Sequence, residues 1–323
     1  ARLLGASQLS AWLTNDAVMR NSLFVVLFML LTIYIISAGV KEGIEKWASR
    51  LMPSLIVILL LLIVYVLTMP GAMDGLRAYL IPDFSLIADP SLLVDAMGQA
   101  FFSLSLGVGT MLIYGSYISS NENLPTIGSL VALLDVGIAV MAGMLILPAM
   151  YVALASGVEI YDDTGGLIAG PGLIVSVLPS LFSTMGAIGV FVAIAFFALM
   201  TIASLTSSIS MLEVPVAYAV EHHELERRRA AMLIGSAITA ISLIIVFNFD
   251  PLFDLVVTVT TEVSQPLLGF AFCIFAAWIW QRSEILEEIK KGCPEVESGI
   301  FWKIWPVYVK FICPVAILVV YFQ

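Results

Sequence analysis

The chain has 323 residues, of which 61% are hydrophobic and only 12% charged, and its mean hydropathy is +1.05. A soluble domain of this length has too little interior to hide that much apolar surface, so the composition excludes an ordinary globular enzyme, a disordered chain and a disulfide scaffold, and it points to a polytopic membrane protein. The formal charge of −10, from 14 Lys and Arg against 24 Asp and Glu, leaves no basic stripe for nucleic acid.

Long unbroken apolar runs, unlike the short alternating strands of an outer-membrane barrel, set the architecture. At about 20 residues per crossing, eight spans are predicted. The first covers 22–40 and is followed by Lys41, Lys46 and Arg50, with Gly43 separated from Pro53 by nine residues. The second, 54–69, leads into a segment 70–92 that contains Ile81-Pro82-Asp83-Phe84. The third, 93–118, is unusual, because its middle reads Gln99-Ala100-Phe101-Phe102-Ser103-Leu104-Ser105-Leu106-Gly107-Val108-Gly109. Small residues there suit close helix packing. They equally suit a helix broken at mid-membrane, whose freed carbonyl and N–H groups hold an ion or a polar ligand.

The fourth span, 129–151, carries Asp135. The segment 153–184 has no Lys or Arg; it holds Gly165-Gly166 and Gly170-Pro171-Gly172, and its apolar run from Leu173 to Phe182 predicts short helices packed back on the bundle. The fifth span, 185–219, is long enough to protrude and contains Ser204-Leu205-Thr206-Ser207-Ser208-Ile209-Ser210 and Glu213. Ala203, Thr206 and Ser207 share one helix face, where two hydroxyls and a carbonyl can offer hard oxygen ligands to a small cation. The competing reading is back-bonding of these hydroxyls to carbonyls of their own helix. His222, His223 and Arg227 to Arg229 follow, then spans at 229–248 and 253–280, with Asp254 at the start of the seventh and Glu262 inside it. Arg282, Lys290, Lys291 and Lys303 precede or open the last span, 302–322, where Lys310 is near enough to an end to snorkel. An acid inside a span costs roughly 2.5–3.5 kcal/mol, so Glu213 and Glu262 each need a partner helix or a function.

Positive charge clusters after the first, fifth and seventh spans, which places those connections in the cytoplasm and 70–92 and 153–184 outside. Both ends then lie outside, and the chain begins on Ala1, so further sequence is expected upstream. Enzyme signatures are missing: there is no HExxH, GxSxG or P-loop. Gly107-Val108-Gly109 lacks a third glycine and a preceding strand, and Tyr161-Asp162 lacks the second half of an intramembrane aspartyl protease pair. Cys273, Cys293 and Cys313 are too widely spaced for a metal knuckle or a redox pair.

Phe102-Ser-Leu-Ser-Leu-Gly107 with Gln99, Leu205-Thr-Ser-Ser-Ile209, Gly170-Pro-Gly-Leu-Ile174 and the Gly43 to Pro53 spacing together resemble the neurotransmitter:sodium symporters, in particular their bacterial amino-acid branch. The resemblance covers the whole chain. It implies an all-α, polytopic helix bundle with a partial leucine-transporter-type (LeuT-type) inverted-repeat fold. Residues 1–323 would form a single transmembrane transporter domain holding the family's helices four to eleven, with three helices upstream. It implies sodium-coupled symport of an amino acid across the cytoplasmic membrane by alternating access, two sodium sites, and no organic cofactor. By the same resemblance Ser103 and Asp135 belong to the first sodium site, which also touches the substrate carboxylate, and the Ala203 carbonyl, Thr206 and Ser207 belong to the second. Phe102, Ser105, Val108, Ser207 and Met211 would line the substrate pocket. Val108 stands where the leucine-specific member has a larger aromatic and Met211 is adaptable, which suggests a roomy pocket for a hydrophobic or mid-sized amino acid. Asp254 matches an outer-gate acid, and Gly43 and Pro53 match a hinge on the inner pathway. Asp135 replaces a neutral asparagine, while Ala139 takes the place of the acid many bacterial members use, so chloride is not expected to be required. The alternatives are a proton-coupled transporter of the same fold, with Asp135 or Glu213 as carrier, or an inactive membrane fragment.

Overall fold

A computed structural model describes residues 18–82, 84, 89–161 and 165–321. Asp83 and Asp162 lie outside the described residues, as does the side chain of Glu262. In chain order the α-helices are α1 (Val18–Ser37), α2 (Lys46–Leu67), α3 (Ala72–Leu80), α4 (Pro90–Ser103), α5 (Thr110–Ser116), α6 (Leu124–Ala155) and α7 (Leu178–Thr184). They continue with α8 (Gly186–His223), α9 (Arg227–Phe247), α10 (Phe249–Val257), α11 (Gln265–Ile274), α12 (Arg282–Gly292), α13 (Ile300–Val307) and α14 (Cys313–Tyr321). Wider π-helical turns, with one more residue per hydrogen-bonded ring, occupy Val40–Glu45, Leu173–Val177, Thr258–Ser264, Phe275–Ile279 and Tyr308–Ile312. An isolated antiparallel bridge joins Tyr161 to Leu167.

Among the described residues, seven helical stretches are long and apolar enough to cross a membrane: Val18–Ser37, Val40–Leu67, Leu124–Ala155, Gly186–His223, Arg227–Phe247, Pro251–Ile279 and Ile300–Val319. They coincide with seven of the eight predicted spans. The remaining one, 93–118, is divided between α4 and α5, so it does not count as one continuous helix. Large apolar side chains such as Leu61, Val64, Leu133 and Phe191 stay exposed along these helices, as lipid-facing residues do when the solvent is hydrocarbon.

The chain folds into two compact units. The first comprises the described residues of 1–82 and 138–247, and the second those of 83–137 and 248–323. In the first, α8 is the central element, with α1, α2, α7 and α9 packed against it. Its core joins Leu59, Leu62 and Val66 of α2 to Ala149 and Val152 of α6 and to Leu178, Leu181 and Phe182 of α7. The expected return of the apolar run after Gly172 onto the bundle is therefore observed, and Phe182 meets Phe196 at a ring separation of 5.6 Å. Glu213 on α8 is fully buried and binds Arg227 Nη2 at 2.5 Å, while Arg227 Nε donates to the Ile36 carbonyl at 3.0 Å. One guanidinium thus ties together α8, α9 and the end of α1, and Glu213 has its partner between helices.

In the second unit α11 packs along α14, and α4 touches both. The surface helix α12 is amphipathic and seats Ile285 and Ile289 against Val296 and Trp302. On its polar side Lys291 pairs with Glu288, and Lys290 pairs with Glu297 from the turn that follows.

Candidate functional site: a broken helix and a carboxylate

The second unit contains the helix break that the serines and glycines of the third span predict. α4 stops at Ser103, α5 starts at Thr110, and Leu104 to Gly109 are not helical. Three residues of the break take positive φ: Ser105 at 53°, Gly107 at 84° and Gly109 at 89°. Glycine adopts this region at no steric cost, which is why the chain can reverse its helical sense here. A side chain at Gly107 would also collide with the Gln265 carbonyl oxygen at the start of α11. The break is therefore seated on backbone, and only glycine fits at its centre.

At the end of α4 the Ser103 hydroxyl donates to the Asp135 carboxylate, with Oγ 2.8 Å from Oδ1 and 2.9 Å from Oδ2. Asp135 is half-buried within α6. An ionised carboxylate offers about four lone-pair sites and the serine hydroxyl uses only one proton on them. The pair thus keeps oxygen lone pairs, on both residues, to offer a cation. Ser105 and Val108 are half-buried within the break, and Phe102 is exposed at the tip of α4. Gln99 is exposed one turn earlier.

In the first unit, Ala203, Thr206, Ser207 and Met211 lie on α8. Thr206 Oγ1 donates to the Ala203 carbonyl at 2.9 Å and lies 3.2 Å from the Ile202 carbonyl. Ser210 donates to the Thr206 carbonyl at 3.0 Å, and Ser208 bridges to Thr32 of α1 at 3.3 Å. Back-bonding and an interhelical bridge thus account for three of the five hydroxyls in this run. Ser204 and Ser207 are exposed, and Met211 is exposed one turn beyond Ser207. A cleft of about 740 Å³ opens beside α1, lined by Phe24, Phe28, Phe197 and Met200 with hydroxyls from Thr201, Ser204 and Ser242. The structure thus brings Ser103 to Asp135 and Thr206 to Ala203, each within its own unit.

Asp254, Gly43 and Pro53 are the remaining sequence candidates. Asp254 is exposed on α10. Gly43 is not the left-handed residue of its segment; that residue is Gly39, at φ 96°. Gly43 sits inside the π-helical turn, where a Cβ would collide with the Ile35 carbonyl oxygen, so it serves close backbone approach to α1. Pro53 lies within α2 rather than at its start. Two neighbours of the break escape sequence reasoning. Gln265 is buried behind Gly107, and Thr110 opens α5 with a buried hydroxyl that has no hydrogen-bond partner. A lone hydroxyl next to two glycines carries no periodic signal, so nothing in the sequence marks Thr110.

A multi-pass α-helical membrane protein with a helix interrupted at a serine–carboxylate pair is the class these observations define. The model of the sodium:neurotransmitter symporter family matches residues 6–323, and the chain belongs to that family of secondary transporters. It is 33% identical to an uncharacterized sodium-dependent transporter of Haemophilus influenzae, over 92% of this chain and 64% of the relative. It is 30% identical to the uncharacterized sodium-dependent transporter YhdH of Bacillus subtilis, over 91% of this chain and 64% of that protein. The crystal structure of MhsT in complex with L-phenylalanine is similar at a TM-score of 0.77 and 38% identity, covering 92% of this chain and 66% of that one. The chain therefore spans a little under two thirds of the length of each of these three proteins.

Proposed function

We propose that the protein couples movement of sodium down its gradient to uptake of a hydrophobic or mid-sized amino acid across the cytoplasmic membrane. The observation that carries this reading is the Ser103–Asp135 pair at the helix break. A carboxylate inside a span is expensive, and a monovalent cation beside it would cancel the charge. Sodium is a hard cation that takes oxygen ligands, as other hard cations do. Ser103 and Asp135 would hold one ion and orient the substrate carboxylate. Thr206, Ser207 and the Ala203 carbonyl would hold a second, since a hydroxyl that donates its proton to a carbonyl keeps lone pairs facing outward. Phe102, Ser105, Val108, Ser207 and Met211 would surround the substrate side chain. Similarity to a protein solved with L-phenylalanine supports an amino-acid substrate. Gly43 and Pro53 would loosen the inner end of α2, and Asp254 would serve an outer gate. Because Asp135 supplies a fixed negative charge, transport would need no chloride.

The test is uptake of radiolabelled phenylalanine or leucine into vesicles with and without an inward sodium gradient, with gluconate replacing chloride, beside a sodium titration of Asp135→Asn. Sodium-driven, chloride-independent uptake with at least tenfold weaker apparent sodium affinity in the variant is the expected result. A wild type that stalls without chloride, or an asparagine variant with normal sodium affinity, would overturn the role of Asp135. Uptake driven by a pH gradient in sodium-free buffer would instead make Asp135 a proton carrier. Glu213 is poorly suited to that task, because its carboxylate is committed to Arg227.

A further inference from the structure

We infer that the seam between α11 and α13–α14 is a docking site for an anionic phospholipid, whose phosphate is held by Lys310, Arg282 and Lys303 among tryptophans. Two π-helical turns face each other across this seam, Phe275–Ile279 and Tyr308–Ile312. Lys310 lies in the second, inside a stretch long and apolar enough to cross the membrane. Its ammonium rests 4.4 Å from the ring centre of Trp278 and 5.7 Å from that of Phe311. Trp278 is two residues from the point where the helix ends and the backbone turns extended at Trp280. The lysine therefore reaches the level of the membrane boundary, stem in hydrocarbon and charge at the interface. Arg282, just past that point, lies 5.4 Å over the ring of Trp302, and Trp302 stacks on Trp305 with centroids 6.0 Å apart.

The charges here are arranged differently from those nearby. On α12, Lys290 and Lys291 are each paired with a glutamate. Among the described residues, no carboxylate comes within ion-pair distance of Lys310, Arg282 or Lys303. Lys310 and Arg282 thus have aromatic faces as their partners, Lys303 is exposed next to Trp302 in α13, and Trp278, Trp280, Ile304, Tyr308 and Phe311 are exposed as well. An aromatic face holds a cation but leaves its net charge unneutralised. Aromatic side chains at the headgroup level with unneutralised basic residues between helices are what an anionic headgroup complements. The apolar surface beside them suits acyl chains, which a soluble anion would leave bare. That apolar surface is why the occupant is a lipid and not free phosphate.

Tryptophan fluorescence tests the proposal directly, since four of the six tryptophans in the chain, Trp278, Trp280, Trp302 and Trp305, border the seam. The full chain would be reconstituted into phosphatidylcholine vesicles and titrated with dibrominated phosphatidylglycerol or dibrominated phosphatidylcholine, both of which quench on contact. The wild type is expected to favour the anionic quencher, and Lys310→Gln, Arg282→Gln and Lys303→Gln each to lower that preference by up to about fivefold. Lys310→Arg should retain it, as should Lys290→Gln, which removes a cation already paired on α12. Equal quenching by the two lipids, an unchanged preference in all three glutamine variants, or a loss in Lys290→Gln as large as in Lys310→Gln would overturn the site. Displacement by millimolar inorganic phosphate would assign it to a soluble anion. Protection from both quenchers with cross-linking between copies would assign it to a second chain. Either result would also overturn the proposal.

Discussion

Gly107 and Ser105 share a backbone region but not a fate on substitution. Gly107→Ala would meet both a left-handed backbone and the Gln265 carbonyl, and the backbone term alone is about 1–2 kcal/mol. A loss of at least about 2 kcal/mol is expected, read as a lower midpoint of thermal unfolding in detergent. Ser105→Gly at φ 53° should be neutral or stabilise by up to about 1 kcal/mol in the same assay. Glu213→Ala strands a largely buried guanidinium that also holds the Ile36 carbonyl. Breaking such a pair costs roughly 3–5 kcal/mol, so the variant should unfold well below the wild type, while Glu213→Gln, which still accepts a hydrogen bond, should lose less. At this scale the sequence is partly legible. Asp135 and Glu213 stand out because an acid in an apolar run is costly wherever it sits. Ser103 is joined to Asp135 only through the family resemblance, Arg227 reads as an ordinary loop cation, and nothing near Gly107 announces Gln265.

The interrupted third span is legible as an element, because two serines and two glycines clustered inside an apolar run all favour non-helical backbone. The hydroxyl run of α8 is less transparent. Its density argues against back-bonding, yet Thr206 and Ser210 do bond carbonyls of their own helix and Ser208 reaches Thr32. The face that remains open is that of Ser204, Ser207 and Met211. Combining Thr206→Val with Ser207→Ala tests the proposed second sodium site. If it holds sodium, apparent sodium affinity should fall at least tenfold, with substrate selectivity little changed. A shift within about twofold, below roughly 0.4 kcal/mol, would leave these hydroxyls as packing alone. The inner end of α2 shows why a matching pattern is not yet a conformation. Gly43 and Pro53 are both helical, and the backbone freedom expected at Gly43 is used at Gly39 instead.

Spans are the easiest feature to place, since a run of some 20 apolar residues has one solution in a bilayer. The division into two units is not readable, because the chain enters each unit twice and periodicity says nothing about which helices meet. Orientation rests on the charged loops alone. It predicts that Ser298→Cys, at an exposed position after α12, reacts with a membrane-impermeant maleimide in inside-out vesicles and is silent in right-side-out ones. The reverse pattern would invert every loop assignment made from the lysines and arginines.

The π-helical turns carry a consequence for comparing this chain with its relatives. Each adds one residue to a turn, which rotates everything downstream by about 100° about the helix axis. Such a turn is equivalent to a one-residue insertion inside a span, where insertions are otherwise rare. Relatives lacking a given π turn should therefore show single-residue gaps at 258–264, 275–279 or 308–312 rather than in loops. Deleting one residue from 308–312 would advance the screw phase of α14 by the same angle, so that Cys313, Pro314 and Ile317 would no longer point where they do now.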